Sequence, residues 1–311
     1  MVAKRFRLLR LLGRGAMGSV WLARDLHLGA RCAVKVMEAP ARRSAEAAAR
    51  FEQEARTQVG LQSPHVVRIL DHGIWKGTPY IAMEYLQGET LWDRLRREHK
   101  LDPAATHRVV EQVARALTRA HGAGIVHRDL KPENIFLVRG SDGDLVKVLD
   151  FGVAKHAAAW RVSRATLPGL LVGTPAYMSP EQASGANEID GRADLWSLAV
   201  VAYECLTGEA PFAAEGLWDL LMQIMFEPVP VPSAVAPELP PGFDAWWKRA
   251  MSRSPDARFQ SARELADALA IALGVAAAAH AAEPAPLRPP PPRLPTQAGD
   301  RKLVAEHALA G

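Results

Sequence analysis

His127-Arg128-Asp129-Leu130-Lys131-Pro132-Glu133-Asn134 carries the strongest signal in the chain, and Asp150-Phe151-Gly152 follows it between apolar residues. Working back toward the N-terminus, Gly13-Arg14-Gly15-Ala16-Met17-Gly18-Ser19-Val20 is a glycine-rich turn. Leu8, Leu9, Leu11 and Leu12 lead into it, and residues 19–23 lead out as a second strand. Glycine suits a loop that must approach phosphate oxygens, because only a backbone without Cβ comes that close.

The three glycines alone decide little, since dinucleotide-binding folds use the same spacing. There they join a strand to a helix. Here they join two strand-like segments, which favours a flap lying over phosphates. Ala33-Val34-Lys35 stands in the next strand, 31–37, where a lysine reaches back under such a flap. An interior lysine in an apolar strand needs a partner, because an unpaired buried charge is costly. Glu54, in a helix expected over 45–61, is the natural one.

Further strands are expected at 66–70 and 79–85, joined through a turn at 75–78. From Thr90 the pattern becomes helical, over 91–99, 103–122, 193–207, 217–226, 243–251 and 262–273. A small strand-rich half therefore precedes a larger helical one.

Composition narrows the classes. The chain has 311 residues, 49% of them hydrophobic and 23% charged, so it is neither disordered nor a coiled coil. Lys plus Arg exceed Asp plus Glu by 38 to 34, and the basic clusters at Arg5-Arg7-Arg10 and Arg94-Arg96-Arg97 are short and mixed. No nucleic-acid partner is expected from them. Two cysteines, Cys32 and Cys205, sit in apolar runs and read as buried thiols in a reducing compartment. The longest uncharged apolar stretch, 268–282, falls short of a membrane span and is mostly alanine. Residues 1–14 are broken by Arg7, Arg10 and Arg14, unlike a signal peptide. The expectation is a cytoplasmic protein without a membrane span. After Gly274 the chain turns Ala-rich and then proline-rich at 288–295, a stiff linker or tail.

The motif set resembles eukaryotic-type protein kinases element by element, from the glycine flap through Lys35, the Asp129 segment and Asp150-Phe151-Gly152 to Ser179-Pro180-Glu181. The texture of 173–182 and of Asp194-Leu195-Trp196-Ser197-Leu198 is similar to the bacterial serine/threonine branch. The resemblance implies an α+β, two-lobed kinase fold over 6–273. A small antiparallel-sheet N-lobe (6–83) and a helical C-lobe (88–273) meet at a hinge (84–87), and 274–311 form a flexible tail.

It also implies roles. Leu12, Gly13, Gly15 and Gly18 would cover ATP. Lys35, fixed by Glu54, would hold its α- and β-phosphates. Asp150 and Asn134 would hold magnesium, with manganese as the alternative ion. Asp129 would orient the substrate hydroxyl and Lys131 would meet the γ-phosphate. Adenine would lie between Val20 and Ala33 above and Phe136 below. Glu84 and Leu86 would bond its edge through backbone groups, and Met83 would gate the back of the pocket. His127 is expected to be structural. Arg128 would meet a phosphate on the activation segment, at Ser163 or Thr166, placed there in trans within a homodimer. Thr174 would shape the substrate site, and Glu181 would pair with Arg258. Protein serine and threonine hydroxyls are the implied substrates.

Three departures stand out. Gln58 and Thr57 occupy apolar positions of the helix carrying Glu54, and Trp160 lies in the activation segment. A scaffold without catalysis would lack one of Lys35, Glu54, Asp129, Asn134 or Asp150, and none is missing. A small-molecule kinase fits less well with Lys131, Thr174 and a complete segment from Asp150 to Glu181.

Overall fold

The computed structural model describes residues 1–15, 18–37, 58–140, 143–151 and 175–275. Its first half is one antiparallel sheet in the order β1-β2-β3-β5-β4. The strands are β1 (Phe6–Gly15), β2 (Gly18–Asp25), β3 (Arg31–Met37), β4 (Ile69–Trp75) and β5 (Thr78–Glu84). Side chains alternate across a strand, and β3 uses both faces. Cys32 and Val34 join Phe6, Ala23, Tyr80 and Ala82 in one cluster. Ala33 turns to the other face, against Val67, Ile81 and Met83. Lys35, two residues on, shares that second face. The β4–β5 turn is Lys76-Gly77 with φ of 51° and 72°, the left-handed pair that suits the twist of a tight hairpin.

One expected strand is displaced. The apolar run at 66–70 pairs only from Ile69 onward, because its first residues are taken by a strand of the second half. Val67 N–H donates to Val148 at 3.0 Å, Val148 N–H donates to His65 at 2.9 Å, and Val66 forms an isolated parallel bridge with Val148. The helix expected over 45–61 lies outside the described residues, apart from its last turn.

The second half contains α1 (Leu91–Glu98), α2 (Pro103–Gly122), α3 (Pro180–Ala183), α4 (Arg192–Thr207), α5 (Leu217–Phe226), α6 (Pro232–Val235), α7 (Gly242–Ala250) and α8 (Ala262–Leu273). Asp102 caps α2 by accepting from Ala105 N–H at 2.7 Å, with Pro103 in the first turn. α4 is buried continuously from Ala193 to Leu206 and ends on left-handed Gly208. A helix apolar all round belongs in a core, and α4 runs through this one, beside Leu117, Phe212 and Trp247. A second sheet, in the order β6 (Gly88–Thr90), β7 (Ile135–Val138) and β8 (Leu145–Val148), also belongs to this half. Its strands of three and four residues are too short to show as a period in the sequence. Among the described residues no helix is long and apolar enough to cross a membrane.

Both cysteines are free and fully buried, Cys32 in β3 and Cys205 in α4. Burial pushes the Cys32 thiol up to about 11 and raises that of Cys205 as well.

Candidate active site

The turn between α2 and β7 carries His127 to Asn134, and its shape is held from below. Asp194, fully buried in the first turn of α4, accepts the backbone N–H groups of His127 and Arg128 at 2.8 Å each. His121 Nε2 donates to the same carboxylate at 2.7 Å. These bonds hold Arg128 at a φ of 65°, which a non-glycine residue rarely adopts. The ring of His127 is also committed. Its Nε2 donates to the Leu149 carbonyl at 2.8 Å, and its Nδ1 accepts from Asp129 N–H at 3.3 Å. Its edge meets the Phe151 ring at a centroid distance of 4.7 Å. No ring nitrogen is left for a substrate proton.

On this base the polar residues converge. Lys131 Nζ donates to Asp129 Oδ1 at 3.1 Å. Asn134 Nδ2 donates to the Asp129 carbonyl at 2.7 Å and to Oδ2 at 3.2 Å, which leaves its amide oxygen as a ligand atom. Leu149 N–H donates to the Asn134 carbonyl at 2.8 Å, tying the turn to the end of β8. Asp150 follows at a φ of 54°, and its Oδ2 receives Lys35 Nζ from β3 at 2.6 Å. Burial pushes the Asp150 carboxyl up, but the Lys35 ammonium, together with His127 and Lys131, holds the group below the usual carboxylate range. Glu54, the expected partner of Lys35, lies outside the described residues. So do Ser163, Thr166, Thr174, Trp160 and Thr57.

The apolar part of the site lies on the second face of the N-terminal sheet. Ala33 pairs with Met83 across β3 and β5, and Val20, Leu86 and Leu149 pack on the same cluster. Phe136 stands on β7, paired with Lys147 and Thr90. Leu12, Gly13 and Gly15 lie in β1, and the tip at 16–17 is outside the described residues. A Cβ on Gly13 or Gly15 would meet nothing within 4 Å, so that strand offers open surface. Gly18 is different: at a φ of 139° its Cβ would fall 2.1 Å from the Val36 carbonyl oxygen.

The anchoring bonds of several residues escape a reading of the sequence. Asp194 is the first, although a lone carboxylate in an apolar helix is itself a signal. Gln182 is another: its Nε2 donates to the Arg128 carbonyl at 2.8 Å, and its Oε1 receives Ser179 N–H at 3.1 Å. Tyr177 donates to Glu204 Oε2 at 2.6 Å inside the helical half. Burial and Glu204 both push that phenol up. The expected pair of Glu181 with Arg258 is present, in two bonds of 2.8 and 2.7 Å.

Oxygen ligands from one carboxylate and one amide suit a hard cation that takes its remaining ligands from phosphates and water. Among the described residues no three His, Cys, Asp or Glu side chains gather to hold a metal by themselves. That donor set fits magnesium carried in with a nucleotide.

Residues 6–264 match the protein kinase domain family. The chain belongs to that family. This kinase is 41% identical to serine/threonine-protein kinase Pkn1 of Myxococcus xanthus, over 98% of its own length and 45% of that protein. It is 38% identical to serine/threonine-protein kinase PknH of Mycobacterium tuberculosis, over 94% of its length and 47% of that protein. The chain thus spans about half the length of the curated relatives it matches. The crystal structure of the Mycobacterium tuberculosis PknI kinase domain is similar in fold. The TM-score is 0.73 at 29% identity, covering 88% of this chain and 98% of that one.

Proposed function

We propose that this kinase transfers the γ-phosphoryl group of ATP to serine and threonine hydroxyls of proteins, and that it works in the cytoplasm. The observation that carries the reading is the convergence of Lys35, Asp150, Asn134, Asp129 and Lys131 from three separate segments onto one place. Phosphoryl transfer depends mainly on positioning and on neutralising charge, and each of these residues has such a task. Lys35 holds the α- and β-phosphates. Asp150 and the Asn134 amide oxygen hold magnesium, which when bound neutralises the phosphate oxygens. Asp129 accepts a hydrogen bond from the substrate hydroxyl and aims its oxygen at the γ-phosphorus. As that oxygen bonds phosphorus and the ADP oxygen departs, Asp129 takes the hydroxyl proton. Its pairing with Lys131 and Asn134 keeps it oriented for this, and Lys131 reaches the γ-phosphate. Adenine stacks between Val20 and Ala33 on one side and Phe136 on the other. The backbone of Glu84 and Leu86 reads its edge.

Regulation by autophosphorylation of Thr166, in trans by a second copy, belongs to the same reading. Its support is Arg128, whose Nε is buried without a hydrogen-bond partner and whose Nη2 makes one long bond, 3.4 Å, to the Ile189 carbonyl. A guanidinium so placed gains from a phosphate, which supplies charge-assisted acceptors. The test is purified chain with labelled ATP and magnesium, followed by mapping of the labelled residues. Wild type should label itself and a generic protein substrate, and Asp129→Asn should lose about a hundredfold or more in rate. Thr166→Ala should lose the activated state. Full activity in Asp129→Asn would sink the catalytic assignment, and full activity in Thr166→Ala would sink the switch alone.

One observation favours a second reading, a kinase that stays silent until a partner assembles it. Gln58 Nε2 is buried with no hydrogen-bond partner, a cost of about 1–3 kcal/mol. On that reading the wild type binds ATP without labelling, and Gln58→Leu restores transfer.

A further inference from the structure

Lys147, on β8, points neither to water nor to the phosphate-binding residues. Its Nζ bonds Glu84 Oε1 at 2.7 Å, with the two side chains 12% and 22% exposed. A second, longer bond of 3.4 Å runs from the same nitrogen to the Val66 carbonyl. Glu84 is therefore held from two sides, because its Oε1 also accepts Arg68 N–H at 2.8 Å. Glu84 N–H in turn donates to the Arg68 carbonyl at 3.0 Å. One ion pair thus joins three segments: the end of β5, the stretch entering β4, and β8. Each matters to the nucleotide. The end of β5 leads to the backbone proposed to read adenine. β8 runs through Val148 and Leu149 straight to Asp150. Across β7, Lys147 is paired with Phe136, the proposed floor of the adenine pocket.

We propose that Lys147 is a positioning residue for the nucleotide. By tying Glu84 to β8 it fixes the adenine-reading backbone at a set distance from Asp150, so that base and phosphates are met together. The inference rests on the kinase reading above. A largely desolvated ion pair that also bonds a backbone carbonyl has a defined geometry, and its loss leaves Glu84 facing a neighbour that cannot donate.

The test is calorimetric titration of the full 311-residue chain with ADP and magnesium, alongside steady-state kinetics. Lys147→Met should weaken ADP binding and raise KM for ATP by about fivefold, with kcat within about twofold of wild type. Lys147→Arg, which keeps the charge and the donors, should restore most of the affinity. Melting temperature separates positioning from general support: the affinity loss should appear in a variant that melts within a few degrees of wild type. Equal affinity in Lys147→Met and wild type overturns the inference alone. So does a loss in kcat without a change in KM, or a Lys147→Arg variant no better than Lys147→Met. A wild type that binds no nucleotide overturns the kinase reading and this inference with it.

Discussion

Arg258 is 1% exposed, and every one of its five N–H groups has an acceptor. Glu181 takes two, at 2.8 and 2.7 Å. The carbonyls of Ser252, Arg192 and Arg253 take the rest, at 2.7, 3.1 and 3.2 Å. The guanidinium also lies 5.0 Å over the Trp196 ring. Lysine cannot imitate this fork, having three donors on a point charge. Arg258→Met would leave the largely buried Glu181 carboxylate without its cation and take one donor from each of three carbonyls. We expect it to lower unfolding free energy by about 3–5 kcal/mol in urea titrations, and Arg258→Lys to recover only part. The carboxylate side of this pair comes from the helix that follows the activation segment. Loss of the bridge should therefore cost activity before it unfolds the chain.

At the scale of elements, α2 carries a titration that opposes folding in acid. His107 is 5% exposed on that helix. Burial lowers its imidazole below the usual 6.5, while Glu111, the Ala266 backbone and Asp267 pull the other way and Arg108 adds to the lowering. The unfolded chain then binds the proton more readily than the folded one. Stability is therefore full above about 6.5 and is lost as pH falls through that value toward the lower folded one. Urea midpoints measured between pH 8 and pH 5 should decline on the acid side, and His107→Leu should flatten that decline.

The same helix shows what could be read in advance. Its bounds are legible at 103–122, because Asp102 and Pro103 mark the start and the apolar residues keep a helical period. The run at 66–70 misleads because an apolar β-rich stretch does not say which strand it will join, and here β8 takes its first residues. The catalytic turn is legible through its dense motif. Asp194, Gln182 and Lys147 are not, since each acts by reaching a distant backbone or side chain that only the fold brings near.

For the whole molecule, the site is assembled from both halves: Lys35 from the N-terminal sheet, Asp129, Asn134 and Asp150 from the rest. A ligand that bridges them should therefore stabilise the two together. At a hundredfold excess over its dissociation constant, ADP with magnesium should add about 2.7 kcal/mol and raise the melting temperature by roughly 5–10 °C. Scanning calorimetry reads this directly. Asp150→Asn should lose most of the gain and Asp129→Asn should keep it, because only the first is assigned to the metal. A shift retained in Asp150→Asn would remove that assignment.

The two thiols of the chain are sealed, one in each half, and burial holds both in the unreactive protonated form. Peroxide and other electrophiles act on thiolates that they can reach. The folded kinase therefore offers oxidative signalling no cysteine to act upon, and any sensitivity to oxidants must enter through other chemistry or through a chain that has already opened.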